Sequence, residues 1–156
     1  MICMNILFIG NSYTNYNNMP FLFEKLCIQN GHDVNVCSVT HGGHKLYQFV
    51  DNHDQYTKQI EDLIKYQTFD IGFLQENSTF SVLESDSFLD GVSRLTEKLR
   101  ASVNQFVLYE TWGRKNGSDL FPRSPDLLAG LLETENHSSH IYQVYFDHSV
   151  HHPCKY

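Results

Sequence analysis

The sequence predicts a three-layer α/β/α sandwich around a parallel sheet of four to five strands, and three observations predict it. Short apolar runs of β type alternate along the chain with longer segments of helical period. Each apolar run ends in a polar turn rich in Gly, Asn or Ser, as strand-to-helix connections of an open sheet do. The 156 residues, 41% hydrophobic and 19% charged, suffice for one well-formed core but not for two. A single domain over 1–156 is therefore expected, and no repeat divides it.

The elements follow in order. Asn5 to Ile9 is an apolar strand that stops at Gly10-Asn11-Ser12, and an Asn-rich segment (Asn15, Asn17, Asn18) leads to a helix opening at Met19-Pro20. The helix is expected over Phe21 to Gln29, with Leu22 and Leu26 beside Phe23 and Cys27 as its apolar stripe and Glu24, Lys25 and Gln29 facing out. Pro20 suits the first turn and Gly31 the stop. His32 to Val39 alternates around Val34, Val36 and Ser38 as a second strand, ending in Thr40-His41-Gly42-Gly43-His44. Tyr56, Ile60, Leu63 and Ile64 mark the next helix. Asp70 to Leu74 is a third strand, closing in Gln75-Glu76-Asn77-Ser78.

Phe88, Val92, Leu95 and Leu99 recur at helical spacing, and Ser87 with Asp90 resembles a capping box at the helix start. Gln105 to Tyr109 supplies the fourth strand and runs into Glu110-Thr111-Trp112-Gly113. Beyond Trp112, Arg114 to Pro125 reads as a polar loop, Leu127 to Leu132 as a short helix and Ile141 to Phe146 as a last strand. Strands alternating with helices give a parallel sheet covered on both faces, of flavodoxin-like type.

Charge and composition narrow the function. A net charge of -7 argues against a nucleic-acid or anionic-membrane surface, which needs clustered Lys and Arg. Cys3, Cys27, Cys37 and Cys154 lie far apart without a Cys-x-x-Cys pair, so buried free thiols are expected. The N-terminus lacks a basic leader and a spanning apolar run, which makes the cytoplasm the expected compartment. His137-x-x-His140 has the spacing of two metal ligands, but no HExxH or paired Cys motif joins it, and no metal is expected. A flavin or nucleotide phosphate would need a Ser-, Thr- and Gly-rich nest or a P-loop lysine after the first strand, and neither is present.

What remains is a set of polar strand ends. Gly10-Asn11-Ser12, Gly42-Gly43 and Asn77-Ser78 each follow a strand, and parallel strands bring such ends to one edge of the sheet. Acyl transfer uses this combination: a hydroxyl nucleophile, here Ser12, and donors aimed at the oxyanion that forms on attack. The amides of Ser12 and Gly43 and the side-chain amide of Asn77 are the candidate donors, and Gly43 lets the backbone come close to a substrate. The plainer readings are a turn or cap role for Ser12, a tight turn for Gly42-Gly43 and a cap for Asn77. His41 and His44 read as exposed loop residues, and Trp112 as a rim or core aromatic.

Four blocks, Ile-Gly-Asn-Ser-Tyr-Thr, His-Gly-Gly-His-Lys-Leu, Leu-Gln-Glu-Asn-Ser and Leu-Tyr-Glu-Thr-Trp, lie in order between residues 4 and 113. They resemble the successive blocks of the SGNH (GDSL-type) hydrolase superfamily, in a bacterial branch with Gly-Asn-Ser in place of Gly-Asp-Ser. The resemblance implies that Ser12 is the nucleophile and that Gly43 and Asn77 are oxyanion donors. The family's last block, Asp-x-x-His, supplies the base and its orienting carboxylate. Here Asp147 lies four residues before His151, and His152 precedes Pro153, so the resemblance offers Asp147 with His151 or His152 and a C-terminal portion (about 114–156) that is divergent or incomplete. The implied activity is that of a serine esterase on a small or carbohydrate-linked ester, without a cofactor. The alternative is a catalytically impaired relative that keeps a ligand pocket. Oligomeric state is not legible.

Overall fold

Burial of apolar strand residues on both faces of a sheet requires a helical layer on each side. The structure, a computed structural model, describes residues 3–109 and 111, with the side chains of Val82 and Leu83 excepted, all within the unit Met1–Trp112. Four parallel strands, β1 (Met4–Gly10), β2 (Val34–Thr40), β3 (Phe69–Leu74) and β4 (Val103–Leu108), form one sheet in the order β2-β1-β3-β4. Helices α1 (Ser12–Asn15) and α2 (Met19–Gln29) connect β1 to β2. A 3₁₀ turn (Leu46–Val50) and α3 (Gln55–Tyr66) connect β2 to β3, and α4 (Phe80–Leu83) and α5 (Ser85–Leu99) connect β3 to β4. This is the flavodoxin-like α/β arrangement that the alternation predicts. The expected helix over 127–132 and strand over 141–146 lie outside the described residues.

The central strand β1 is buried almost from end to end, which is why it reads as a continuous apolar run. Its pleat sends Ile6 and Phe8 to one face, where they pack with Val34, Val36 and Phe73 beneath Met19, Phe23 and Cys27 of α2. Phe8 and Phe73 stack with centroids 4.7 Å apart, and Phe23 meets both edge-on at 5.4 and 5.9 Å. Leu7 and Ile9 point to the opposite face and are fully buried. The 3₁₀ turn, packed against α3 and α5, brings Leu46, Phe49, Ile60, Val92, Leu95 and Leu99 into the core.

Several local expectations are corrected. Helix α2 opens at Met19-Pro20 as expected, but the inward half of its stripe is Phe23 and Cys27, whereas Leu22 and Leu26 are 53% and 60% exposed. The reason is phase: the sheet claims the Phe23 side of the helix because the stacked Phe8 and Phe73 rings offer an aromatic slot there. Glu24 does not simply face solvent; its Oε1 accepts a hydrogen bond from the Val36 amide at 3.1 Å. The capping box at Ser87 is absent, because α5 starts at Ser85 with Glu84 as a cap that makes no side-chain bond, and Asp90 pairs with Arg94 instead. Of the described cysteines, all free, Cys3 is exposed and Cys27 and Cys37 are half-buried rather than buried, while Cys154 lies outside the described residues. Among the described residues no helix is long and apolar enough to cross a membrane.

The inversion of the α2 stripe is measurable. Phe23→Ala is expected to cost about 2 kcal/mol or more, as removal of a packed ring does, and Leu22→Ala to stay within about 0.5 kcal/mol, both read from urea midpoints.

Candidate active site

Because β1, β2 and β3 run parallel, their C-terminal ends share one lip of the sheet. Gly10 pairs with Thr40 and Ile9 with Leu74, and the ladder continues past the strands: the His41 amide donates to Gly10 O at 3.1 Å and the Gln75 amide to Ile9 O at 2.9 Å. Ser12, Gly43 and Asn77, two or three residues beyond these pairings, therefore emerge at the same lip.

Buried polar side chains wire the three turns together. Gln75 Oε1 accepts from the Asn11 amide at 3.0 Å and from Thr14 Oγ1 at 2.8 Å, and Gln75 Nε2 donates to Glu76 O. Asn11 Nδ2 donates to His44 O at 3.1 Å, which ties the first turn to the second. Glu76 Oε2 accepts from the Leu46 amide at 3.0 Å and Oε1 from the Asn77 amide, which ties the third turn to the second. Asn11, Thr14, Gln75 and Glu76 are the buried polar residues at this end of the sheet. Gly10 is required beneath them, since a Cβ there would sit 2.3 Å from Thr14 Oγ1 and 2.7 Å from Gln75 Oε1.

The first turn presents Ser12 by capping. Asn11 is the N-cap of α1: its Oδ1 accepts from the Tyr13 amide at 3.1 Å, and its carbonyl accepts from the Thr14 and Asn15 amides. The Ser12 amide, at the first helical position, is left without a partner among the described residues, and its side chain is exposed. The second turn spans His41 to His44, closed by the His44 amide on His41 O at 3.2 Å, with Gly43 at φ 77°. That conformation suits glycine and matches the third position of a type II turn. The Gly43 amide also has no partner among the described residues.

Asn77 is oriented by its own turn. Its Oδ1 accepts from the Thr79 amide at 3.1 Å and from Thr79 Oγ1 at 2.8 Å. A backbone amide can only donate, so the oxygen must face Thr79 and the NH₂ group must face away. Nδ2 has no acceptor among the described residues. Asn77 thus ties down its own turn rather than capping α4, whose N-cap is Thr79, and keeps its donor end uncommitted.

Two groups escaped sequence reasoning. His41 and His44 are not a pair of idle loop residues: His44 Nε2 lies 2.8 Å from Asp54 Oδ2, and the two Nδ1 atoms lie 2.9 Å apart. The His44 ring is half-buried between Phe49 and Tyr56. Burial works to raise the Asp54 carboxyl, but the hydrogen bond from His44 and those from the Tyr56 and Thr57 amides hold it below its ordinary value. Glu76 is the other. Burial pushes its carboxyl up to about 6 in spite of the Asn77 and Leu46 amides and the Lys45 charge. No local pattern signals either, because their partners lie 10 and 30 residues away. Asp147, His151, His152 and Trp112 lie outside the described residues. Among those described, no cluster of His, Cys, Asp and Glu is arranged to hold a metal ion.

The raised Glu76 group fixes a sign for pH dependence. A carboxyl that binds its proton more tightly when folded adds stability below its ordinary value of 4.5, and that gain is lost as pH rises through about 6. Wild type should therefore lose about 1.5 kcal/mol relative to Glu76→Gln between pH 4.5 and 7, since each tenfold gain in proton affinity is worth about 1.4 kcal/mol and the unfolded carboxyl is already half ionised at the lower pH, as read by urea titration at each pH. Gly10→Ala should destabilise by about 1–3 kcal/mol at all these pH values, the range for an overpacked site.

No known family profile matches the sequence, and no curated protein does. Solved structures do. A proposed SGNH hydrolase from Slackia heliotrinireducens is 23% identical, with a TM-score of 0.71 over 88% of this chain and 74% of that one. A DUF4886 family protein from Bacteroides uniformis is 16% identical, with a TM-score of 0.63 over 83% of this chain and 59% of that one. TesA is 13% identical, with a TM-score of 0.54 over 85% and 75% of the two chains. The chain thus spans less than two thirds of the Bacteroides protein. At such identities the likeness is one of architecture. With its parallel sheet and flanking helices, the chain has an SGNH-hydrolase-like fold.

Proposed function

We propose that the chain is a serine ester hydrolase in which Ser12 is the nucleophile and the Ser12 amide, the Gly43 amide and Asn77 Nδ2 bind the oxyanion. One observation carries this reading: three donors with no partner among the described residues lie, with the exposed Ser12, on turns that leave the same lip of the sheet, while the polar groups that join those turns are paired. Donors left uncommitted at such a point are what a developing negative charge needs, since they stabilise it without reorganising.

In this reading Ser12 Oγ attacks the ester carbonyl as its proton passes to a general base, and the tetrahedral oxygen sits among the three donors. The alcohol leaves with a proton from the same base, and water then releases the acyl group by the reverse sequence. His151 or His152, oriented by Asp147, is the base that the family resemblance offers. No cofactor takes part.

The substrate class is a small or carbohydrate-linked ester. An open cleft of about 510 Å³, lined by Tyr47, Phe80, Asp86, Ser87, Asp90 and Arg94, supports it. Its lining begins three residues past His44 and three past Asn77, and sets two aromatic rings beside carboxylates, hydroxyls and a guanidinium that can meet a hydroxylated alcohol.

Hydrolysis of p-nitrophenyl acetate tests the assignment. Ser12→Ala should abolish turnover, and equal rates in both proteins would discard the nucleophile. Asn77→Ala should lower kcat by roughly 10²–10³-fold, the usual cost of one oxyanion donor, with KM little changed. A pocket that binds without catalysing would show no turnover in wild type either.

A further inference from the structure

The turn that carries the Gly43 amide is held on both sides by hydrogen bonds to the first turn, His41 to Gly10 and Asn11 to His44. Its side chains add a third anchor. Asp54 at the N-terminus of α3, His44 in the middle and His41 at the outer end form a continuous line of hydrogen bonds at 2.8 and 2.9 Å. Tyr56 flanks both imidazoles, with centroids 4.6 Å from His41 and 5.3 Å from His44, and Phe49 closes the inner side at 5.0 Å from His44. The His44 ring, enclosed on two sides, keeps one orientation, while His41 at the outer end is exposed.

The hydrogen-bond roles follow from chemistry. Asp54 Oδ1 accepts from the Tyr56 amide at 2.7 Å and caps α3, and Oδ2 faces His44 Nε2. An ionised carboxylate only accepts, so the proton sits on His44 Nε2. With a single proton on the His44 ring, its Nδ1 accepts and His41 donates from its own Nδ1. The direction of the whole line is set at Asp54.

We propose that Asp54, His44 and His41 form a hydrogen-bonded relay that holds the 41–44 turn and with it the Gly43 amide, making Asp54 and His44 positioning residues for the oxyanion donor. The assignment rests on the serine-hydrolase reading. Locking the imidazoles fixes the two residues that flank Gly42 and Gly43, the most freely rotating pair in the turn. Without the relay the turn keeps its backbone ties to the first and third turns, but the side chains that flank the two glycines lose their fixed partners.

Asp54→Asn in the full chain is the test. The amide keeps an oxygen for the Tyr56 cap but replaces the acceptor facing His44 with a donor. His44 must then accept at Nε2 and carry its proton on Nδ1, which reverses the line. Long-range proton–nitrogen spectra of wild type should show His44 protonated at Nε2 and His41 at Nδ1, and Asp54→Asn should invert both. The Gly43 amide resonance should move in the variant. With p-nitrophenyl acetate, kcat should fall roughly 10- to 100-fold, as misplacement of a catalytic group does, with KM within about twofold. His41→Ala, which alters only the exposed end of the relay, should shift the same resonance and gives the test a second route.

A wild-type His44 protonated at Nδ1, or a Gly43 resonance unmoved in both variants, overturns the proposal. Should Ser12→Ala prove as active as wild type, the hydrolase reading falls while the spectra still judge the relay. Inactive Ser12→Ala with unchanged kcat in Asp54→Asn discards the positioning role alone.

Discussion

Gln75 Oε1 is the atom on which this end of the molecule depends. It accepts from the backbone of the first turn at Asn11 and from the side chain of Thr14, while Gln75 Nε2 reaches the carbonyl of the next residue. All of this happens in the dry interior, where an unpaired amide costs several times what a hydrogen bond contributes. The turn after β3 therefore cannot shift without stranding groups in the turn after β1. Gly10 completes the constraint, since only a residue without a Cβ leaves room for the two side chains that meet above it.

Glu76 and Asn11 extend the same logic to the turn after β2. A carboxylate lodged between the Leu46 and Asn77 amides is a costly choice, as its raised proton affinity attests. Its two oxygens nonetheless grip two different loops at once, which a smaller neutral acceptor would not do. Asn11 uses one end to cap α1 and the other to reach His44 O. Buried polar groups here are joints between turns, and the network is closed: among the described residues the one buried side-chain atom lacking a partner is Gln67 Nε2. The uncommitted donors of the lip are thus set apart from a background in which nearly everything is satisfied.

The two helical layers contribute unequally. On one side α2 packs through Met19, Phe23 and Cys27 onto an aromatic patch of the sheet and leaves Phe21, Leu22, Leu26 and Ile28 largely outside. On the other, the 3₁₀ turn is clasped by α3 and α5 and buries Leu46 and Phe49 completely. That clasp carries the chain leaving His44 straight into the core, so the second turn is anchored by packing as well as by hydrogen bonds. The relay from Asp54 begins on α3, one of the helices of this layer.

By itself the sequence determined the succession of strands and helices, the parallel sheet, and the emergence of residues 12, 43 and 77 at strand ends. Those follow from local rules: an apolar run of about five to seven residues can satisfy itself as a buried parallel strand, and strands that run the same way end at the same edge. Tertiary structure decided what periodicity leaves open. Spacing makes Leu22, Phe23, Leu26 and Cys27 neighbours on α2, but the stacked rings of Phe8 and Phe73 select which of them turn inward. Likewise nothing local reveals that His44 meets Asp54, that Thr14 and Asn11 meet Gln75, or that Glu76 meets Leu46, because a hydrogen bond is specified by direction at its two ends. Those ends are brought together only once the sheet has set the turns side by side.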